Sequence, residues 1–198
     1  MTDHFQIFGI DRTFAVNREM LEARFHELQS RSHPDRHVQS EVETRDRALS
    51  ESSEINAAYR TLREQLPRAR HLVELYGFPV GEQKNVPPAL LMTVMDAQEK
   101  IMEREQATSR DAKMRNREEL EAIADELQMR REALDEERHN LANHWDRNLH
   151  EQNGGPLSNA DQELLGRMSQ LLAERAYLET LHWSVQAAQQ GKPAFIQH

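Results

Sequence analysis

The chain contains no cysteine among its 198 residues. This absence excludes disulfide bonds, thiolate nucleophiles, zinc ribbons and iron–sulfur clusters held by thiolates. Aromatic residues make up only 6% of the sequence, and glycine and proline occur 7 times each. Hydrophobic residues account for 37% and charged residues for 30%, which supplies narrow apolar stripes on helices but too little for a sheet buried on both faces. The composition therefore favours an all-helical fold.

Positive charge is also scarce, because 25 Lys and Arg stand against 34 Asp and Glu, for a formal net charge of -9. Nucleic-acid phosphates repel an acidic surface, so a protein partner is favoured. No apolar run approaches the roughly 20 residues of a membrane span, and the start, from Met1 to His4, lacks the apolar core of a signal peptide. We therefore expect a cytoplasmic protein that binds neither nucleic acid nor membranes.

The few helix breakers predict the domain organisation. Glycine and proline cluster at 77–81, and Pro87 and Pro88 follow, so a linker is predicted over 77–88. It separates an N-terminal domain, 1–76, from a C-terminal domain, 89–198. Turn-forming residues at 151–156 predict a further loop between two helices.

The N-terminal domain is predicted to contain two antiparallel helices, since apolar residues recur at i, i+4 and i+7. The first helix has Leu21, Phe25 and Leu28 at this spacing; the second has Ile55, Tyr59 and Leu62, with Leu49 one to two turns upstream. Asn17 is a candidate N-cap of the first helix, which ends before Pro34. A short extra helix near the start can cover the hairpin with Phe5, Phe8 and Ile10.

The C-terminal domain is predicted to be a three-helix bundle whose two long helices pack antiparallel. A heptad pattern typical of a coiled coil is formed by Leu120, Leu127, Leu134 and Leu141, with Ile123, and is extended by Trp145 and Leu149. The last helix has an apolar stripe of Leu164, Met168, Leu171, Leu178 and Val185.

The tripeptide His33-Pro34-Asp35 lies between the two predicted N-terminal helices. Proline fixes its φ angle and donates no hydrogen bond, while the flanking side chains present a donor, an acceptor and a charge from a rigid turn. Such a loop suits docking to a polar cleft. Two alternatives remain: Asp35 caps the next segment, or His33, Asp35 and His37 ligate a metal, although no fourth ligand is evident nearby. No phosphate loop, nucleophile elbow or paired base is recognisable.

In this context the sequence resembles a J domain, and the wider pattern is similar to the HscB family of iron–sulfur cluster co-chaperones. The matching stretches are 4–9, 24–29, 55–63 and 68–72, together with the loop tripeptide. The resemblance implies that 1–76 is a J domain with a following helical segment, and that the protein has no catalytic residue, metal or cofactor of its own. The residues expected to bind an HscA-type ATPase chaperone are His33, Pro34, Asp35, Arg24, Arg31 and Arg36.

A second docking surface is predicted on the first helix of the C-terminal domain. Asp96, Glu99 and Glu103 occur at i, i+3 and i+7 and share a face, which is bordered by the apolar residues Leu91, Met92 and Met95. An acidic stripe beside methionines suits a basic, adaptable partner. The resemblance implies that these positions bind the iron–sulfur scaffold protein, together with Tyr177. The alternative is that Leu91 and Met95 are core residues and the acids a solvated face.

We therefore predict an all-α, non-enzymatic co-chaperone with an N-terminal J domain and a C-terminal three-helix bundle. It is expected to stimulate the ATPase of an HscA-type chaperone and to deliver the scaffold protein to it. Two other functions fit the pattern: a structural coiled-coil adaptor, and a general J protein that serves unfolded clients. An adaptor should bind without nucleotide, whereas a J protein should change ATP turnover in a partner chaperone.

Overall fold

A computed structural model describes residues 1–32, 42–81, 90–148 and 156–192. Within these ranges the chain forms seven helices and no strand, which confirms the all-α fold class. The helices are α1 (His4–Phe8), α2 (Arg18–Ser32), α3 (Val42–Arg63), α4 (Gln65–Leu75), α5 (Leu91–Gln106), α6 (Arg110–Asn148) and α7 (Asn159–Gln189). No helix in these ranges is both long and apolar enough to cross a membrane.

The chain divides into two compact units. The first contains 1–79 and 141–166, and the second contains 80–140 and 167–198. Both α6 and α7 therefore contribute segments to each unit. The division into a J domain at 1–76, a linker at 77–88 and a bundle at 89–198 concerns functional domains and stays a prediction.

The first unit is built around the hairpin of α2 and α3. Asn17 caps α2, because its side-chain oxygen accepts a hydrogen bond from the backbone N–H of Met20 at 3.0 Å. Phe25, midway along α2, stacks on Tyr59, near the end of α3, with ring centroids 4.1 Å apart, so the two helices pack against each other. The side chains of this unit's core that are almost fully buried include Phe5, Phe8, Leu21, Ile55, Leu62 and Leu72.

The loop between α1 and α2 is held by two neighbouring side chains of α6. The Asp146 carboxylate of α6 accepts the backbone N–H groups of Phe14 and Ala15, each at 2.7 Å. The indole N–H of Trp145 donates to the carbonyl oxygen of Arg12 at 2.9 Å. Trp145 is fully buried and lies within the first unit. Its assignment to the leucine seam of the C-terminal domain was therefore wrong.

The second unit has a core shared by α5, α6 and α7, as predicted for the three-helix bundle. Its buried apolar residues are Leu90, Val94, Ala97 and Ile101 in or beside α5, Leu120 and Leu127 in α6, and Leu178, Leu181, Val185 and Ala188 in α7. Ile123 and Leu134 are partly buried and pack against it. Leu120, Leu127 and Leu134 of the predicted heptad therefore face this core, whereas Leu141 falls in the first unit.

Helices α6 and α7 run antiparallel, as the order of their ion pairs demonstrates. As the residue number rises along α6, the residue number of its partner on α7 falls. The pairs are Arg131–Glu179 at 3.5 Å, Asp135–Arg175 at 2.9 Å and Glu137–Arg167 at 2.7 Å. Hydrogen bonds from Arg167 lower the pKa of the Glu137 carboxyl. The predicted antiparallel packing is confirmed.

Candidate docking surfaces

The residues predicted to trigger the chaperone fall outside the described ranges. These are His33, Pro34, Asp35 and Arg36. Helix α2 ends at Ser32 and helix α3 begins at Val42, so the hairpin helices flank the tripeptide on both sides. The role of the loop stays a prediction.

The two remaining residues of the predicted chaperone-binding set lie exposed on α2. Arg24 and Arg31 each contact one oxygen of the Glu27 carboxylate, at 3.1 and 2.7 Å. The spacings are i,i+3 and i,i+4, so both arginines lie on one side of the helix. Exposed ion pairs of this kind contribute little to stability, although each guanidinium group is partly neutralised by Glu27.

The apolar residues predicted on α5 are exposed in the structure. Leu91, Met92 and Met95 expose 47%, 69% and 56% of their surface. The buried side of the same helix is formed by other residues, among them Val94 and Ile101. The alternative in which Leu91 and Met95 belong to the core is therefore wrong. We call these three residues, with the neighbouring Asp96, Glu99 and Glu103, the α5 face.

The carboxylates of the α5 face are exposed but not equivalent. The ammonium group of Lys100 donates to Glu103 at 2.9 Å and lies 3.3 Å from a carboxylate oxygen of Glu119 on α6. These contacts, with the Glu103 hydrogen bond the largest, raise the pKa of Lys100. Among the described residues neither Asp96 nor Glu99 forms an ion pair. Glu103 is thus partly neutralised by Lys100, whereas within the described ranges the other two carboxylates have no such contact.

Tyr177, the aromatic residue predicted to join the docking surface, is half-buried on α7. Its ring packs against the core shared by α5, α6 and α7, and this burial raises the pKa of its phenol. Part of the side chain therefore stabilises the bundle. Its role in docking stays a prediction.

One exposed residue of α5 was missed by the sequence analysis. Met102 exposes 58% of its surface, seven residues after Met95 and therefore two helical turns further along. In the sequence, only its helical spacing from Met95 could have identified Met102.

No cluster of three metal-ligating side chains is found in the described part of the chain, and the candidate ligands His33, Asp35 and His37 lie outside it.

Known proteins resemble the chain in sequence, although no family model matches it. A co-chaperone protein HscB homolog of Burkholderia thailandensis is 35% identical over 132 residues, which is 66% of this chain and 71% of the relative. The chain belongs to the HscB co-chaperone family. A Ralstonia nicotianae HscB homolog is 37% identical over 111 residues, 55% of this chain and 63% of the relative. The iron–sulfur cluster co-chaperone protein HscB homolog of Arabidopsis thaliana is 34% identical over 108 residues, 54% of this chain and 43% of the relative.

The alignments thus span less than two thirds of the Ralstonia and Arabidopsis relatives.

Solved HscB structures match the fold over nearly the whole chain. Chaperone HscB from Vibrio cholerae covers 96% of this chain and 99% of its own, with a TM-score of 0.55 and 22% identity. Human co-chaperone protein HscB covers 94% and 81%, with a TM-score of 0.59 and 20% identity. At these identities the likeness establishes the HscB fold and assigns no role to a residue.

Proposed function

We propose that this chain stimulates the ATPase of a dedicated HscA-type chaperone and delivers an iron–sulfur scaffold protein to it for cluster transfer. Membership of the HscB co-chaperone family carries this proposal. The ATP-hydrolysing residues then belong to the chaperone, and this chain contributes a trigger and a tether. It needs no active site or cofactor of its own for that role.

The trigger is the loop tripeptide His33-Pro34-Asp35 with Arg36, supported by Arg24 and Arg31 on α2. Because proline fixes its own φ angle and donates no hydrogen bond, His33 and Asp35 are expected to offer a charge and a hydrogen-bonding edge to a polar cleft of the ATPase. The two exposed guanidinium groups lie on the helix that leads into the loop, where they favour approach to an acidic surface.

Single-turnover ATP hydrolysis by the chaperone tests the trigger. Replacing His33 or Asp35 by Ala should abolish stimulation and leave helicity by circular dichroism nearly unchanged, since solvated loop groups contribute little to a packed core. His26→Ala is the matched control, because His26 is an exposed histidine on α2 outside the tripeptide. Full stimulation by Asp35→Ala would remove the trigger from the mechanism.

Association kinetics test the arginines. Charge reversal, Arg24→Glu or Arg31→Glu, should slow association with the chaperone and weaken its dependence on salt. Stopped-flow measurements at low and high ionic strength give both quantities. Rates that respond neither to the substitutions nor to salt contradict docking through this side of α2.

The tether is the α5 face together with Tyr177. Exposed apolar side chains rimmed by charge are typical of protein-binding sites, and Leu91, Met92 and Met95 meet that description. Their acidic border suits a basic scaffold segment. Methionine side chains adapt readily to a partner of irregular shape.

Calorimetric titration with purified scaffold protein tests the tether. Combined Ala replacement of Leu91, Met92 and Met95 should weaken binding by at least about 2 kcal/mol, as loss of anchor residues typically does. ATPase stimulation without scaffold should survive, because the trigger lies elsewhere in the chain. Wild-type affinity in the triple variant would instead favour a general J protein.

The coiled-coil adaptor is disfavoured by the burial of the leucine seam. Leu120 and Leu127 are 0% and 1% exposed and pack inside the second unit against residues of α5 and α7. An adaptor needs such a seam free to pair with another chain. Here internal packing occupies it.

A further inference from the structure

We propose that the scaffold-docking surface extends along α5 to Met102, and that its negative charge comes from Asp96 and Glu99 rather than from Glu103. This inference rests on the proposed function and deepens it, since it assigns a further anchor residue and divides the acidic set. The occupant is a scaffold segment with apolar side chains along one line and Lys or Arg along its edge.

The position of Met102 continues the apolar line of the α5 face. It follows Leu91 by eleven residues and Met95 by seven, close to three and two full turns of an α-helix. The three side chains therefore lie along one side of α5, away from the buried Val94 and Ile101. At 1.5 Å per residue the line from Leu91 to Met102 is about 16 Å long. That length suits an extended or helical segment of the partner.

The density of exposed apolar side chains sets α5 apart from its neighbours in the bundle. Four large apolar residues are exposed within its 16 residues: Leu91, Met92, Met95 and Met102. Helix α6 exposes only Met114 and Met129 over its 39 described residues, and α7 only Trp183 over its 31. Scattered single apolar residues are normal on a protein surface, whereas a contiguous group indicates a binding site. Met102 lies in line with the group formed by Leu91, Met92 and Met95, two turns beyond Met95 on the same side of α5.

The charges beside this line divide according to their partners within the chain. Lys100 lies between Glu103 and Glu119, 2.9 and 3.3 Å from their nearest oxygens. Lys100 contacts one oxygen of Glu103, and its positive charge reduces the attraction of this carboxylate for a partner cation. Asp96 and Glu99 face no such competitor among the described residues. The recognition of basic residues therefore belongs to these two carboxylates.

Charge also favours a basic partner over a second copy of this chain. The chain has a net charge of -9, so two copies repel each other over any surface with an acidic rim. A segment rich in Lys or Arg is attracted to the same rim. Sedimentation of the wild type and of Met102→Ala measures self-association. If the wild type forms a dimer and Met102→Ala does not, the assignment of this surface to the scaffold is overturned.

Matched methionine variants test the anchor. Met102→Ala should raise the Kd for purified scaffold protein by about tenfold, as loss of one anchor does. Met114→Ala removes a methionine of α6 that is 63% exposed and should change Kd by less than about twofold. Both residues are exposed, so neither substitution should impair folding. Equal, small effects of the two substitutions would overturn the role of Met102.

Matched charge variants test the division of the acidic set, again by calorimetric titration with scaffold protein. Asp96→Asn and Glu99→Gln should each raise Kd by a few fold, on the order of 1 kcal/mol or less, and should reduce the salt dependence of binding. Glu103→Gln should change neither quantity appreciably. A Glu103→Gln effect as large as that of Glu99→Gln would overturn this division.

The experimental outcomes distinguish failure of this inference from failure of the proposed scaffold-binding function. If the wild-type chain does not bind scaffold protein, the proposed tether fails and this inference fails with it. If the wild type binds and combined replacement of Leu91, Met92 and Met95 abolishes binding while Met102→Ala does not weaken it, the tether stands and only its extension is lost.

Discussion

His71 shows how one side chain links packing in the first unit to pH. It is 3% exposed on α4 and stacks on the ring of His4 with centroids 4.0 Å apart. Its Nε2 atom accepts the backbone N–H of His4 at 3.1 Å, so this nitrogen must carry no proton. Burial, and secondarily the charge of His4, lowers the pKa of His71 from 6.5 to about 4, with Asp3 opposing. The folded state therefore requires a neutral ring.

Acid should destabilise the protein through His71. The unfolded chain takes up this proton near pH 6.5 and the folded chain only near pH 4, so protonation favours unfolding throughout that interval. We expect the free energy of unfolding to fall by about 1.4 kcal/mol per pH unit on this account. Urea unfolding at several pH values between these limits should show a shallower decline for His71→Phe, which keeps an aromatic ring but does not titrate. The exposed His26→Gln is the control, and identical slopes for His71→Phe and wild type would contradict the assignment.

Asp146 is the second residue whose removal should have a large local effect. Its carboxylate accepts the backbone N–H groups of Phe14 and Ala15 at 2.7 Å each. Asp146→Ala should lower the free energy of unfolding by about 1–3 kcal/mol, because the partly buried Phe14 donor loses its acceptor. Asp146→Asn, which retains one acceptor oxygen, should cost less. Chemical denaturation measures both, with the exposed Asp125→Ala as control; a loss equal to that control would show that the two hydrogen bonds contribute nothing.

At the scale of helices, local sequence signals predicted most elements. The Asn17 cap and the i, i+4, i+7 spacing were sufficient for α2 and α3, since both reflect contacts within one helix. The prediction placed Leu49 upstream on the same helix as Ile55, yet Leu49 is 51% exposed. The two residues are six apart, which rotates Leu49 by about 120° away from the buried face. Helical periodicity therefore predicts burial only for residues whose angle around the helix axis falls on the buried face.

The break between α5 and α6 was not located from the sequence. Ala107 adopts an extended conformation there, and the side chain of Ser109 accepts the backbone N–H of Ala112 at 3.2 Å. Ser109 is an N-cap signal, but no glycine or proline lies nearby to mark the end of α5. Such a break depends on tertiary packing as well as on local propensity.

The α5 face was predictable in its apolar and acidic composition but not in its electrostatics. Amphipathic spacing identifies Leu91, Met92 and Met95 as neighbours of the carboxylates. The contact of Lys100 with Glu119 depends on how α5 and α6 pack side by side, which no single-helix pattern specifies. The difference between Glu103 and Glu99 therefore emerges only from the structure.

The leucine seam of α6 gives a prediction at this scale. Leu120 is fully buried in the second unit, whereas Leu134 is only partly buried. Leu120→Ala should therefore lower the free energy of unfolding by roughly 2–5 kcal/mol, from lost transfer energy and the cavity left behind, and Leu134→Ala by less. Met129→Ala, at an exposed position of the same helix, should be nearly neutral. Urea denaturation compares the three, and equal stabilities for Leu120→Ala and Met129→Ala would contradict the buried seam.

For the molecule as a whole, the contribution of α6 to both units could not be read from the sequence. The heptads run through this helix without interruption, so the pattern assigns Trp145 to the same seam as Leu120. In the structure Trp145 instead packs edge-on against Phe14 and Tyr76, with ring centroids 6.2 and 5.2 Å apart. A heptad pattern identifies which face of a helix is buried, but not what covers it.

Because Trp145 lies in the first unit, its replacement is predicted to lower the stability of that unit. Trp145→Ala should destabilise the first unit by about 3–5 kcal/mol, because a fully buried indole and its hydrogen bond to Arg12 are removed. Hydrogen exchange measured by mass spectrometry should then show faster exchange in 1–32 and 42–79, while amides of α5 in the second unit keep their protection. The opposite pattern is expected for Leu120→Ala, which serves as the matched variant. Faster exchange throughout the chain in both variants would contradict this prediction and show that the two units unfold as one cooperative body. In that case the amides of α5 would lose their protection whenever the first unit unfolds.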